Sequence, residues 1–265
     1  MTRVIGLEHL TLLGVAPPRL AAIAAAAGFT AIGLRISPVT DGEQGWPMAP
    51  GSPMLTQTAL ACAAAGLEVL DVEGIRLGPA PDLAAAETIL DAAAVLGARF
   101  VNIICEDPDL ARLADSFGAV TGLARARGVR PVIEFMAYRT VRTLAAAVAI
   151  VSGSGGGGIL IDALHVQRCG VVLSELAAVD PALIAYLQLC DAPLAAPADQ
   201  VSEARTGRLL PGDGELPLRQ LLSVLPDGIP VAAEVPRQRR DTTPAECAQQ
   251  ARQALDAVLE GEGHL

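Results

Sequence analysis

The sequence predicts an α/β protein, a single-domain (β/α)8 TIM barrel over residues 1–265. Three observations carry this prediction. Short apolar, β-branched runs alternate about eight times with longer Ala- and Leu-rich stretches of helical period, and this alternation is the signature of repeated strand-helix units. Glycine follows several helical stretches (Ala27-Gly28, Ala65-Gly66, Leu96-Gly97, Arg127-Gly128), where a left-handed cap lets the chain turn sharply into the next strand. The first strand runs into Leu12-Leu13-Gly14-Val15-Ala16, which lacks the Gly-x-Gly-x-x-Gly turn of a doubly wound dinucleotide fold.

In chain order, strands are expected over residues 4–12, 31–34, 68–72, 100–104, 131–135, 159–162, 184–189 and 230–234. Helices are expected over 18–27, 54–65, 82–96, 109–127, 142–151, 174–178, 218–225 and 244–259. The Gly-rich stretch 152–158 precedes a strand, whereas a phosphate cradle follows one and opens a helix; it therefore reads as a return loop on the stability face. Two long connections, 36–53 with Trp46 and 191–216 with Arg205, Arg208 and Pro211-Gly212-Asp213-Gly214, follow strands and so fall on the face where barrels place their chemistry.

Of the 265 residues, 52% are hydrophobic but only 3% aromatic, so Ala, Leu, Val and Ile must fill the core. A chain of this size buries roughly three quarters of its unfolded surface without staples. The formal charge of −10, with no basic cluster longer than Arg237, Arg239 and Arg240, argues against a nucleic-acid partner. All 19 basic residues are arginine, which excludes Schiff-base aldolase, pyridoxal-phosphate and P-loop lysines. Five scattered cysteines without a Cys-x-x-Cys pair read as the reduced thiols of a cytoplasmic protein. The Ala-rich run at 20–26 is too short to span a bilayer and lacks a basic lead, so neither a membrane segment nor a signal peptide is expected. The polar end, 260–265, is expected to fray.

Acids stand where apolar strands end: Glu134 after Val132-Ile133, Asp162 after Leu160-Ile161, Asp191 after Leu189-Cys190 and Glu234 after Ala232-Ala233. An isolated charge there is costly to desolvate. Four such groups converge near the barrel axis, where a divalent cation would neutralise their repulsion. His165 lies three residues beyond Asp162 and can face the same pocket. Its plainer reading is a structural hydrogen-bonding group; His9, near the end of the first strand, is a candidate for binding substrate and has the same plainer reading. Arg35, ending the second strand, and Arg208 are candidates for binding an anionic substrate group through their planar forks, and Trp46 for walling the site. The plainer alternatives are pairing with neighbouring acids for the arginines and ordinary packing for Trp46.

Glu134, Asp162-x-x-His165, Gln188-x-x-Asp191, Arg208 with Pro211-Gly-Asp-Gly214, and Glu234, on successive strands, resemble the xylose-isomerase-like barrel superfamily. That group includes sugar and sugar-phosphate isomerases and epimerases, inosose and dehydroshikimate dehydratases, and the endonuclease IV type of repair enzyme. The similarity spans essentially the whole chain. It implies a metal held by Glu134, Asp162, the residue at position 188 and Glu234. Epimerases of the group carry His at the third position; here it is Gln188, so the donor set is all oxygen and favours Mg²⁺ or Mn²⁺ over Zn²⁺. Dehydroshikimate dehydratases are compatible with Gln there. The repair branch needs a His-rich zinc cluster, which His9, His165 and His264 cannot supply.

The resemblance further implies a small polyhydroxylated ketone, a sugar or cyclitol derivative, whose isomerisation or epimerisation proceeds through an enediolate with Glu134 and Glu234 exchanging the proton. The rival is a dehydratase in which His165 protonates the departing hydroxyl. Gln188 and the scarcity of other polar strand ends lean toward this rival; the absence of histidine on the third strand, where Asp71 and Glu73 stand, leans away from it. A third reading, motivated by the loss of the histidine ligand, is a non-catalytic barrel acting as a binding subunit. Barrels of this group often self-associate, so a homo-oligomer is compatible with the sequence.

Overall fold

The computed structural model describes residues 3–40, 42–237 and 241–260, so Arg239, Arg240, His264 and the chain end from 261 lie outside the described residues. Eight parallel strands close one barrel in sequence order: β1 (Ile5–Leu7), β2 (Ala31–Arg35), β3 (Glu68–Leu77), β4 (Phe100–Cys105), β5 (Arg130–Glu134), β6 (Gly158–Asp162), β7 (Ile184–Leu189) and β8 (Val231–Ala233). Closure is made by β8 against β1, through Ile5↔Val231, Gly6↔Ala232 and Leu7↔Ala233. The helices around it are α1 (Pro17–Ala26), α2 (Pro53–Ala65), α3 (Leu83–Leu96), α4 (Leu110–Arg125), α5 (Leu144–Ser152), α6 (Ala163–Arg168), α7 (Leu173–Ala177), α8 (Gln200–Thr206), α9 (Leu218–Ser223) and α10 (Pro244–Glu260). The four junction glycines take left-handed φ between 66° and 86°, as the sequence requires.

The core has two layers. One lies between strands and helices; the other fills the barrel with Ala31, Leu70, Phe100, Val132, Leu160, Ala185, Tyr186 and Ala232. Phe100 and Tyr186 stack there with ring centroids 5.2 Å apart, so two of the few aromatics plug the axis. Above this plug the inward positions are polar. Parallel register carries them around the mouth: Arg35↔Glu73, Glu73↔Asn102 and Asp162↔Gln188. A register shift in β3 opposite Ile32/Gly33 skips Leu70, so Leu70 joins the plug while the next residue, Asp71, also faces inward.

The structure corrects several expected boundaries. The first strand stops at Leu7, and His9–Leu12 forms a 3-10 turn. The third extends to Leu77 because β4 continues to pair with it through Leu77↔Cys105. Two short helices were not anticipated. Helix α6 starts directly after β6 because Asp162 Oδ1 accepts the His165 backbone N–H at 3.0 Å, a side-chain cap. Helix α8 is capped by Asp199 within the long 191–216 connection. Asp191 organises the rest of that connection: its Oδ1 accepts from the Ala192 and Leu216 backbones and its Oδ2 from Gly212. The Pro-Gly-Asp-Gly segment thus wraps one buried carboxylate. A Cβ on Gly214 would lie 2.4 Å from it.

No described helix is long and apolar enough to cross a membrane. All five cysteines are free thiols.

Candidate active site

At the carboxyl ends of the strands, β5 delivers Glu134, β6 Asp162, β7 Gln188 and the chain just after β8 Glu234, all with little or no exposure. The cap made by Asp162 fixes where His165 falls: on the first turn of α6, with Nε2 3.4 Å from Glu134 Oε1. Ligand atoms of Glu134, Asp162 and His165 all lie within 4.8 Å of one another. The other Glu134 oxygen accepts from Asn102 Nδ2 at 3.3 Å, a partner from β4 that sequence reasoning missed.

Arg208 is the centre of charge. Fully buried, it reaches Asp162 Oδ2 at 2.5 Å and Glu234 Oε2 at 2.9 Å, while its Nε donates to Ala204 O of α8. Arg35 is similarly committed, to Glu73 at 2.5 Å and Glu43 at 3.3 Å. Both arginines line the site cavity, but their charges are already met within the protein. His9 lies outside the cavity lining; its Nε2 meets Val15 O, and its Nδ1 accepts the Arg35 backbone N–H. Trp46 lines a separate cavity with Met48 and Ile89 of α3, so the structure does not place it over the carboxylates. The cavity does include two arginines with weaker internal partners. Among the described residues, Arg139 donates to Glu106 at 3.3 Å and keeps a buried Nε without a partner, and Arg205 donates to Thr40 Oγ1 at 3.1 Å.

Burial governs the proton affinities. It pushes Glu134 well above the carboxylate range, reinforced by the Asp162 and Glu234 charges, and raises Glu234 to about 8 against the pull of Arg208. Asp162 is buried too, but the Arg208 charge and the hydrogen bonds from Arg208 and the His165 backbone N–H outweigh that and hold it low. Burial lowers His165 to about 4, leaving it neutral at pH 7.

The residues fit a divalent cation. Glu134 Oε1 and Gln188 Oε1 are buried acceptors with no donor, which is how a ligand oxygen looks without its ion. Glu134, Asp162, Gln188 and Glu234 would hold it, and His165 stands close enough to join them.

A second carboxylate group lies on the β1–β3 side. Glu8, just past β1, packs with Asp71 and Glu73 of β3, all buried. Burial and the Glu73 charge raise Asp71 to about 7 from an ordinary 3.8, and burial with the Asp71 and Glu234 charges raises Glu8. In the unfolded chain Asp71 ionises near pH 4; in the metal-free fold it keeps its proton to about pH 7. Between those limits the native state binds more protons, so its stability falls as pH rises. For Asp71 alone this amounts to about 4 kcal/mol. Thermal unfolding in chelator should therefore occur at a lower temperature at pH 8 than at pH 5, and Asp71→Asn should flatten the slope. An unchanged slope in that variant refutes the assignment.

Comparison with known proteins agrees with the geometry. A family profile for the xylose isomerase-like TIM barrel matches residues 21–258. A sequence search of curated proteins finds no match. Among solved structures, a xylose isomerase-like TIM barrel/4-hydroxyphenylpyruvate dioxygenase fusion protein superposes with TM-score 0.82 at 22% identity over 99% of this chain. The chain spans only 43% of that fusion protein. IolI protein with a bound zinc atom gives TM-score 0.82 at 18% identity, covering 100% of both chains. D-psicose 3-epimerase, solved in the presence of D-fructose, gives 0.72 at 16% identity over 99% of this chain and 100% of its own. Further neighbours include another epimerase and a probable dehydratase. With the profile matching most of its length and the closed barrel already described, the chain belongs to the xylose isomerase-like TIM barrel family.

Proposed function

We propose that this chain, one barrel domain over residues 1–265, is a divalent-metal-dependent isomerase or epimerase of a small polyhydroxylated ketone, a sugar or cyclitol derivative. The observation that carries the reading is the pair Glu134 and Glu234, buried together at the barrel mouth with Asp162 and Gln188, both raised by burial and Glu234 to about 8. A carboxylate whose pKa lies near working pH can take a proton from carbon and return it. When bound, Mg²⁺ or Mn²⁺ would act as a Lewis acid that acidifies the C–H beside the substrate carbonyl. Glu134 and Glu234 then exchange the proton, Arg208 holds Asp162 and Glu234 in place, and neutral His165 serves as a hydrogen-bonding group. The cavity volume is about 60 Å³, against roughly 300–1,000 Å³ for a typical ligand pocket. Substrate entry therefore requires the rim of the cavity to open, where Arg205 and Thr40 hydrogen-bond across it.

A dehydratase acting on a hydroxylated keto acid is the second reading. Arg139 and Arg205, with donors to spare at the cavity, favour it because they suit a substrate carboxylate. The neutrality of His165 disfavours it as the acid that protonates a departing hydroxyl.

The test is to incubate manganese-loaded protein with keto-sugars, inososes and dehydroshikimate in deuterated water and follow substrate mass. A gain of solvent deuterium without loss of water is expected. Loss of 18 daltons selects the dehydratase, and failure to bind a divalent cation at micromolar concentration leaves only a non-catalytic binding role.

A further inference from the structure

Five carboxylate oxygens on the β1–β3 side of the barrel are buried without a hydrogen-bond donor: both of Glu8, both of Asp71, and Glu73 Oε1. One oxygen from each residue lies within 4.8 Å of the others. The hydroxyl of Tyr186, reaching across from β7, is also fully buried, makes no well-formed hydrogen bond and lies against Asp71 and Glu8. Unmet acceptors at this density are rare in a native interior, because each forfeits its hydration without replacement. Arg35 answers only the remaining Glu73 oxygen and shares its charge with Glu43.

We propose that Glu8, Asp71 and Glu73, with the Tyr186 hydroxyl, form a second site for a hard divalent cation, separate from the one at Glu134, Asp162, Gln188 and Glu234. The donors are all oxygen, the chemistry that suits Mg²⁺, Mn²⁺ or Ca²⁺. Gly33 provides the room: a Cβ there would lie 1.7 Å from Glu8 Oε2 and 2.4 Å from Asp71 Oδ1, so any side chain at position 33 would displace the ligands. Burial raises the proton affinity of both acids, so a cation competes with protons there and binds more tightly as pH rises. The ion would be structural. It would anchor Glu73, and through Glu73 the guanidinium of Arg35 on the cavity wall.

Equilibrium dialysis against Mn²⁺ at pH 8, with bound metal counted per chain, tests the proposal. Wild type should hold two equivalents, Glu8→Gln one, Glu134→Gln one and the double variant none. In the Glu134→Gln protein, Mn²⁺ should still raise the melting temperature, and adding Tyr186→Phe should weaken that remaining site by about 10- to 100-fold. Should Glu8→Gln fail to fold, this Tyr186→Phe comparison decides the matter. Two outcomes overturn the site: a Glu134→Gln protein that binds no Mn²⁺ and gains no stability from it, or Mn²⁺ affinity in that background unchanged by Tyr186→Phe. If wild type binds one equivalent that survives Glu134→Gln but not Glu8→Gln, the second site stands and the metal-dependent reading of the mouth falls.

Discussion

Replacing Glu134 by Gln should abolish turnover while making the metal-free protein more stable. The substitution preserves shape and the hydrogen bond from Asn102, since the amide oxygen accepts as the carboxylate did. It removes a buried carboxyl group that resists ionisation beside Asp162 and Glu234 and whose second oxygen has no donor. An unmet buried acceptor costs about 1–3 kcal/mol, more when charged, and the new amide N–H₂ can donate toward His165 or the neighbouring carboxylates. Chemical unfolding in chelator should therefore show a gain of about 1–3 kcal/mol. Turnover, once a substrate is identified, should fall by about 10³-fold or more, because one side chain supplies both a ligand and a proton acceptor. A stable variant with more than a tenth of wild-type activity would remove Glu134 from the chemistry.

Arg208→Leu should have the opposite effect on stability. The guanidinium is fully buried between Asp162 and Glu234, at 2.5 and 2.9 Å, and it is the cation nearest both. Leucine fills much of the volume but leaves two carboxylates facing each other in a desolvated mouth. Removing one partner from a buried ion pair costs about 3–5 kcal/mol. The same physics makes the loss repairable: a divalent cation supplies the missing charge, so Mn²⁺ should restore more stability to Arg208→Leu than to wild type. Urea unfolding with and without metal measures both effects. A loss below about 1 kcal/mol would show that the pair was already neutralised by protons.

Particular residues show how far the sequence could be read. Glu134, Asp162 and Glu234 were legible because each ends an apolar run, and the structure sets all three at the mouth. Asp162-x-x-His165 was legible as a spacing, and its cause is local: Asp162 caps the helix that carries His165. Glu8 obeys the same strand-end rule but was missed because the first strand was read through to residue 12, which put Glu8 mid-strand. Asn102 and Arg139 gave no pattern, since a single polar residue within or after a strand is compatible with any surface. Arg35 and Arg208 were noticed for their chemistry, yet their partners could not be foreseen.

By itself the sequence determined the barrel, the order of its strands and the strand ends at which acids emerge. These depend on hydrophobic period, glycine at helix ends and the cost of an unpaired charge beside apolar neighbours, all of which act over a few residues. Only the tertiary structure decided how those charges are shared: Arg208 answering Asp162 and Glu234, Arg35 answering Glu73, and Glu8, Asp71 and Tyr186 left facing one another around Gly33. Barrel closure and the β3 register shift bring together residues far apart in the chain, and in a low-dielectric interior a few ångströms determine which acid is met by an arginine and which is left for a cation.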